Sequence, residues 1–130
     1  KKNENILINC SRTTFPMEKN AMRWANYIGN RCFAIFISIL INKQVSDSLC
    51  GTKVFSRKFF NLMKKNGSWE SKSDPFGDFT IIFEAANNNI KILNYPVRYY
   101  ARKSGSPNIS RWIDGLKLLR VCLIYLISDI

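Results

Sequence analysis

At 130 residues and 46% apolar composition the chain has material for one compact domain, residues 1–130, and too little for two separate cores. Twenty basic against nine acidic residues, with no histidine, set a formal charge of +11 that holds constant between about pH 5 and 8. The missing histidine excludes Ser/His and Cys/His hydrolase chemistry, while the charge favours anionic partners: phosphate backbones, lipid headgroups or phosphorylated substrates.

Residues 1–5 are polar and lead directly into Ile6, Leu7 and Ile8, with no basic-then-apolar leader or cleavage pattern, so no signal peptide is expected. The stretch 6–10 is β-branched and apolar and meets Ser11 and Arg12, which predicts a buried strand ending in a polar tip. A helix is predicted over 18–42: Pro16 precedes it, Glu18 lies in its first turn and no proline interrupts it. Arg23, Asn26 and Asn30 share one face at helical spacing, a polar stripe on a mostly buried helix, with Trp24, Ile28 and Ile35 pointing elsewhere. The longest apolar run, 32–41, is ten residues. Crossing a bilayer as a helix takes roughly 20, so no segment is expected to span.

Cys50, Gly51 and Thr52 form a turn leading into a short strand with Val54 and Phe55, and 58–65 reads as a helix stopped by Asn66 and Gly67. After a polar loop over 68–74, Asp78 opens a helix whose Phe79, Ile82, Phe83 and Ala86 fall at i, i+3, i+4 and i+7, closed by Asn87, Asn88 and Asn89. Alternation over 90–100 predicts a strand, and Pro96 places it at a sheet edge or a bulge. A basic Gly/Ser/Pro loop, 102–108, leads to a last helix, 109–128, in which Arg111, Asp114, Lys117 and Arg120 recur three apart among Leu, Ile and Trp112. Such a helix suits an anionic membrane interface, and burial against further protein would explain its apolar face equally well.

Strands alternating with helices point to an α/β layer with a short sheet, because each helix has one apolar face to cover. Cys10, Cys32, Cys50 and Cys122 lie far apart with no Cys-x-x-Cys pair. That spacing predicts buried, reduced thiols in a cytosolic setting, with no metal site. No internal repeat or Gly-rich phosphate loop occurs.

Three stretches, in order, resemble the second half of family 2 glycosyltransferases of the polyprenyl-phosphate sugar transferase type, and the likeness covers nearly the whole chain. Cys10, Ser11 and Arg12, followed by a helix bearing Arg23, Asn26 and Asn30, resemble the Ser-Arg strand end and the arginine-bearing helix that hold an acceptor phosphate. Asp47, Ser48, Leu49, Cys50, Gly51, Thr52, Lys53, Val54, Phe55, Ser56 and Arg57 resemble the family's Asp, Gly, Phe and Arg segment under the active site. Tyr95, Pro96 and Val97, running on to Arg102, Lys103, Ser104 and Gly105, resemble its Val-Pro strand and the loop that folds over the acceptor. Between the last two, Asp74, Pro75, Phe76, Gly77 and Asp78 open a helix as in a bacterial-type branch.

Two departures stand out. Pro107 and Asn108 occupy the places of a family Ser and Lys, and nothing here matches the Asp-x-Asp that holds metal and nucleotide-diphosphate ahead of the Ser-Arg strand. The resemblance therefore implies a partial GT-A (Rossmann-like) sheet with flanking helices and a C-terminal amphipathic interfacial helix. It further implies the acceptor-binding half of an inverting glycosyltransferase, peripheral at the inner face of the cytoplasmic membrane and lacking its N-terminal nucleotide-binding half. A nucleotide-sugar donor, a polyprenyl-phosphate or glycan acceptor, and a divalent cation (Mg or Mn) with ligands outside this chain are the implied partners.

On that reading Arg12, Arg23, Asn30 and Arg102 bind the acceptor phosphate, a role suited to bidentate guanidinium groups. Asp78, at a helix start that should favour its charged form, faces the acceptor, with Asp74 as second carboxylate. The plain alternatives are solvated arginines and a helix cap. Asp47 is expected to hold the Cys50–Gly51 turn or a neighbouring arginine. Two other classes stay open: a basic nucleic-acid-binding module, resting on charge with Trp69, Tyr99 and Tyr100 but with no recognised motif, and a non-catalytic peripheral membrane protein.

Overall fold

The computed structural model describes residues 5–70, 74, 76–105 and 111–128. Its elements run β1 (Ile6–Ser11), α1 (Trp24–Ile41), β2 (Lys53–Phe55), α2 (Arg57–Lys65), a 3-10 turn (Ser68–Glu70), α3 (Asp78–Asn87), β3 (Lys91–Pro96) and α4 (Arg111–Ser128). This is a mixed α/β fold around a three-stranded sheet of order β2-β1-β3, antiparallel between β1 and β2 and parallel between β1 and β3. Pro96, which lacks an N–H for a ladder, ends an edge strand as its chemistry requires.

Strand parity sets the two sheet faces. Leu7 lies across from Phe55 and Ile92, and these side chains meet Phe59 and Met63 of α2 and Ala85 of α3 in one apolar cluster. On the other face Ile8 lies across from both Val54 and Leu93, and Cys10 across from Tyr95. Val54, Leu93 and Tyr95 are exposed, and none of these residues joins either apolar cluster. The larger cluster joins Ile37 and Ile41 of α1, Phe79, Ile82 and Phe83 of α3, and Leu118, Val121 and Cys122 of α4. Phe83 stacks on Tyr125 with ring centroids 4.0 Å apart.

Local chemistry explains most boundaries. Ser56 caps α2 by accepting from the Phe59 N–H at 3.2 Å, and Lys64 and Lys65 sit in its last turn, where the helix dipole favours cations. Asn42 ends α1 in the left-handed region (φ 50°), its N–H donating to the Ile39 carbonyl at 3.4 Å and the Lys43 N–H to the Ser38 carbonyl at 3.2 Å.

The helix expected over 18–42 begins later, at Trp24. Glu18 is drawn out of it by the segment beyond β3: its N–H donates to the Tyr99 carbonyl at 3.2 Å, and its carboxylate accepts from the Ala101 N–H at 2.6 Å. The same helix is less buried than expected. Only Asn30, Ala34, Ile37 and Ile41 are buried, while Trp24 (77% exposed), Ile28, Ile35 and Ile39 face solvent. By length and composition α1 is nonetheless long and apolar enough to cross a membrane, a test the ten-residue run 32–41 had failed. Here its inner face belongs to the domain core, and Asn30 is hydrogen-bonded within it. Cys10, Cys50 and Cys122 are buried free thiols, whereas Cys32 is exposed on α1.

Candidate functional site

Arg12 follows β1 directly, and its guanidinium is anchored by Asp47 from the loop between α1 and β2. Nε donates to Oδ2 at 2.8 Å, Nη2 to Oδ1 at 2.9 Å, and the Arg12 backbone N–H to Oδ2 at 3.0 Å. The Tyr99 ring lies under the guanidinium, 5.2 Å from centroid to Cζ. Asp47 is fully buried and also accepts from Asn30 Nδ2 at 2.7 Å and the Leu49 N–H at 3.2 Å. Burial by itself would raise the Asp47 carboxyl, but the hydrogen bonds and charge of Arg12, with help from Asn30, hold it below the usual carboxylate range. Arg12 is correspondingly raised: Asp47 outweighs the desolvation that would lower it.

A second pair lies beside the first. Lys53, the first residue of β2, sits across from Asn9 and so points to the covered face, with its side chain 2% exposed. Its Nζ donates to the Cys50 carbonyl at 2.6 Å and to Asp78 Oδ1, at the start of α3, at 2.5 Å. The helix position of Asp78 was expected to favour its charged form, and burial outweighs that effect. Burial pushes its carboxyl above the ordinary value, the opposing pull of Lys53 and Arg12 notwithstanding, and Asp74 pushes in the same direction as burial. A carboxyl raised by burial yet attended by cations suits proton acceptance or hydroxyl orientation.

The remaining expected site residues take other places. Asp74 is the cap of α3: Gly77 at the N-cap has no side chain and a φ of 73°, and Asp74 instead accepts from the N–H groups of Phe76 (3.1 Å), Phe79 (2.8 Å) and Thr80 (2.9 Å). Asn30, expected to bind the acceptor phosphate from a polar stripe on a mostly buried helix, is buried and bonded to Asp47 and Ser48. Its role in the structure is to fix the 47–49 turn. Arg23 is exposed at the N-cap of α1, and none of its described contacts reaches the Arg12–Asp47 cluster. Arg102 is exposed in the segment after β3, and residues 107 and 108 lie outside the described residues.

Sequence reading missed Lys53. Its signal was available: in a three-residue strand, period 2 puts Lys53 and Phe55 on one face and Val54 on the other. Asn9 was missed as well. From β1 its Nδ2 donates to the Asp47 carbonyl at 3.0 Å and to Asn94 Oδ1 at 3.2 Å, while its own Oδ1 is buried without a partner among the described residues. A groove of about 260 Å³ beside Asn5, Lys58, Lys65 and Ile90 lies at the other end of β1, away from this chemistry.

Among the described residues no group of three or more Cys, Asp or Glu side chains gathers to hold a metal ion. What converges at the end of the sheet is one guanidinium, one ammonium, two buried carboxylates and an aromatic ring, drawn from five separate segments. Comparison with protein-family models, with curated proteins and with solved structures finds no match.

Proposed function

We propose that this chain is the acceptor-binding half of an inverting family 2 glycosyltransferase that moves a sugar from a nucleotide-sugar to a polyprenyl-phosphate or glycan acceptor at a membrane surface. The observation carrying this reading is the convergence of Arg12, Lys53, Asp78 and Tyr99 at one end of the sheet, from segments that each resemble a family motif. Arg12 supplies cationic hydrogen bonding for an acceptor phosphate, with Asp47 fixing its plane. Asp78 faces the acceptor. A phosphate monoester is already largely ionised near neutral pH, its second pKa being about 6, so Asp78 then orients rather than deprotonates.

In the transfer itself an acceptor oxygen forms a bond to the anomeric carbon as the bond from that carbon to the diphosphate oxygen breaks, the bonding pair leaving with the diphosphate. A divalent cation, on this reading held by a separate donor half bearing Asp-x-Asp, would neutralise that leaving charge. The exposure of Val54, Leu93 and Tyr95 on one sheet face supports a reading in which further protein completes a GT-A layer. Exposed Leu116, Leu123 and Ile127 on α4, flanked by Lys117 and Arg120, support a peripheral position on an anionic leaflet.

The test is binding of a short-chain prenyl monophosphate to the chain, followed by NMR. Saturable binding that falls about tenfold or more in Arg12→Ala is expected, as for loss of a charge-assisted hydrogen bond. Binding unchanged by that substitution, in a variant shown to be folded, would overturn the assignment.

A further inference from the structure

We propose that Lys53 is a positioning residue for Asp78, holding one carboxylate oxygen so that the other is presented at the acceptor end of the sheet. A buried ammonium is costly unless it is paired and hydrogen-bonded. The register leaves Lys53 no route to solvent: it faces inward beside Phe55, opposite Asn9, in a strand only three residues long. Its ammonium is satisfied by a backbone oxygen on one side, Cys50 at 2.6 Å, and by Asp78 Oδ1 at 2.5 Å on the other. Asp78 Oδ2 receives no hydrogen bond from the described residues, and the Asp78 side chain retains 11% of its exposure. One oxygen is therefore pinned from inside and the other is what a ligand meets.

The pair links two segments that the backbone would otherwise leave independent. Lys53 belongs to β2 and Asp78 to the first turn of α3, 25 positions later. The charged groups that act on Asp78 are Lys53 from β2, Asp74 ahead of α3 and Arg12 after β1. Lys53 is the one of these in contact with the carboxylate, so its removal is not replaced by Arg12. Asp74 adds a like charge that makes the ammonium more necessary.

This inference rests on the acceptor-site reading for its purpose, yet it is decided separately. The experiment is a ¹³C NMR pH titration of the Asp78 carboxyl in the full chain, assigned with Asp78→Asn and repeated in Lys53→Met and Lys53→Arg. In Lys53→Met the protonation constant of Asp78 should rise by about tenfold or more, the lower end of what an opposite charge at contact distance produces, and Lys53→Arg should restore most of it. An unchanged Asp78 titration in a folded Lys53→Met chain overturns the proposal. If Lys53→Met does not fold, Lys53→Arg decides: an Asp78 titration close to that of the parent chain supports positioning by charge, and one displaced by tenfold or more overturns it. Adding prenyl monophosphate to the same samples separates the two ideas. Absence of any response at Arg12 sinks the acceptor reading and leaves the Lys53 result standing on the carboxyl titration.

Discussion

Replacing Asp47 by Asn keeps the shape of the side chain and removes only its charge and half of its acceptor capacity. In the parent chain the two oxygens receive the Arg12 N–H, Arg12 Nε, Arg12 Nη2, Asn30 Nδ2 and the Leu49 N–H. Whichever way the amide is turned, its NH₂ faces at least two of these donors, and Arg12 loses its counter-ion in a place where its own side chain is only 17% exposed. Removing one partner of such a pair costs about 3–5 kcal/mol, out of a total of roughly 5–15 for a domain. The variant should therefore lose about a fifth or more of the parent stability in urea unfolding at pH 7 followed by far-UV circular dichroism.

The pH dependence gives the sharper check. Because the folded-state pKa of Asp47 lies below its ordinary value of 3.8, its contribution is complete above that value and disappears as pH falls through the folded-state pKa. The stability gap between parent and Asp47→Asn should thus be wide at neutral pH and narrow in the acid range below pH 3.8. A gap under about 1 kcal/mol at pH 7, or one that does not change with pH, would refute the reasoning. Pairing Asp47→Asn with Arg12→Met should cost less than the sum of the two single changes, since the second then removes a charge already stranded.

Two further outcomes follow from the same geometry. Asp74→Ala should destabilise the chain by about 1–2 kcal/mol and speed amide exchange at Phe79 and Thr80, whose N–H groups it caps, whereas unchanged exchange there would exclude the capping role. The chain should float with vesicles containing anionic lipid more than with zwitterionic ones, and a Leu116→Ser, Leu123→Ser double variant should bind about tenfold more weakly. Equal flotation of the double variant would move the membrane-facing surface away from α4.

The elements legible beforehand were those whose signals are local. Phe79, Ile82 and Phe83 recur at helical spacing and are buried as α3 requires; Asn66 and Gly67 close α2; Pro96 marks an edge strand. Where the reading diverged, contacts from far along the chain had decided the outcome. Glu18 left its helix for Tyr99 and Ala101, and Asn30, on its polar stripe, is taken up by Asp47 and Ser48. Asp74, four residues ahead of α3, took the capping task that the sequence offered to Asp78.

Side-chain periodicity and turn chemistry, which act within a few residues, were enough to determine an α/β chain with a buried strand ending in a polar tip at Ser11 and Arg12. Only the tertiary structure decided that Asp47 holds Arg12 in particular, that Lys53 is buried on Asp78, and that Val54, Leu93 and Tyr95 stand exposed on one sheet face. Those pairings join segments 35 and 25 positions apart. Their energies come from desolvation and close charge contact, which depend on what surrounds a residue in space.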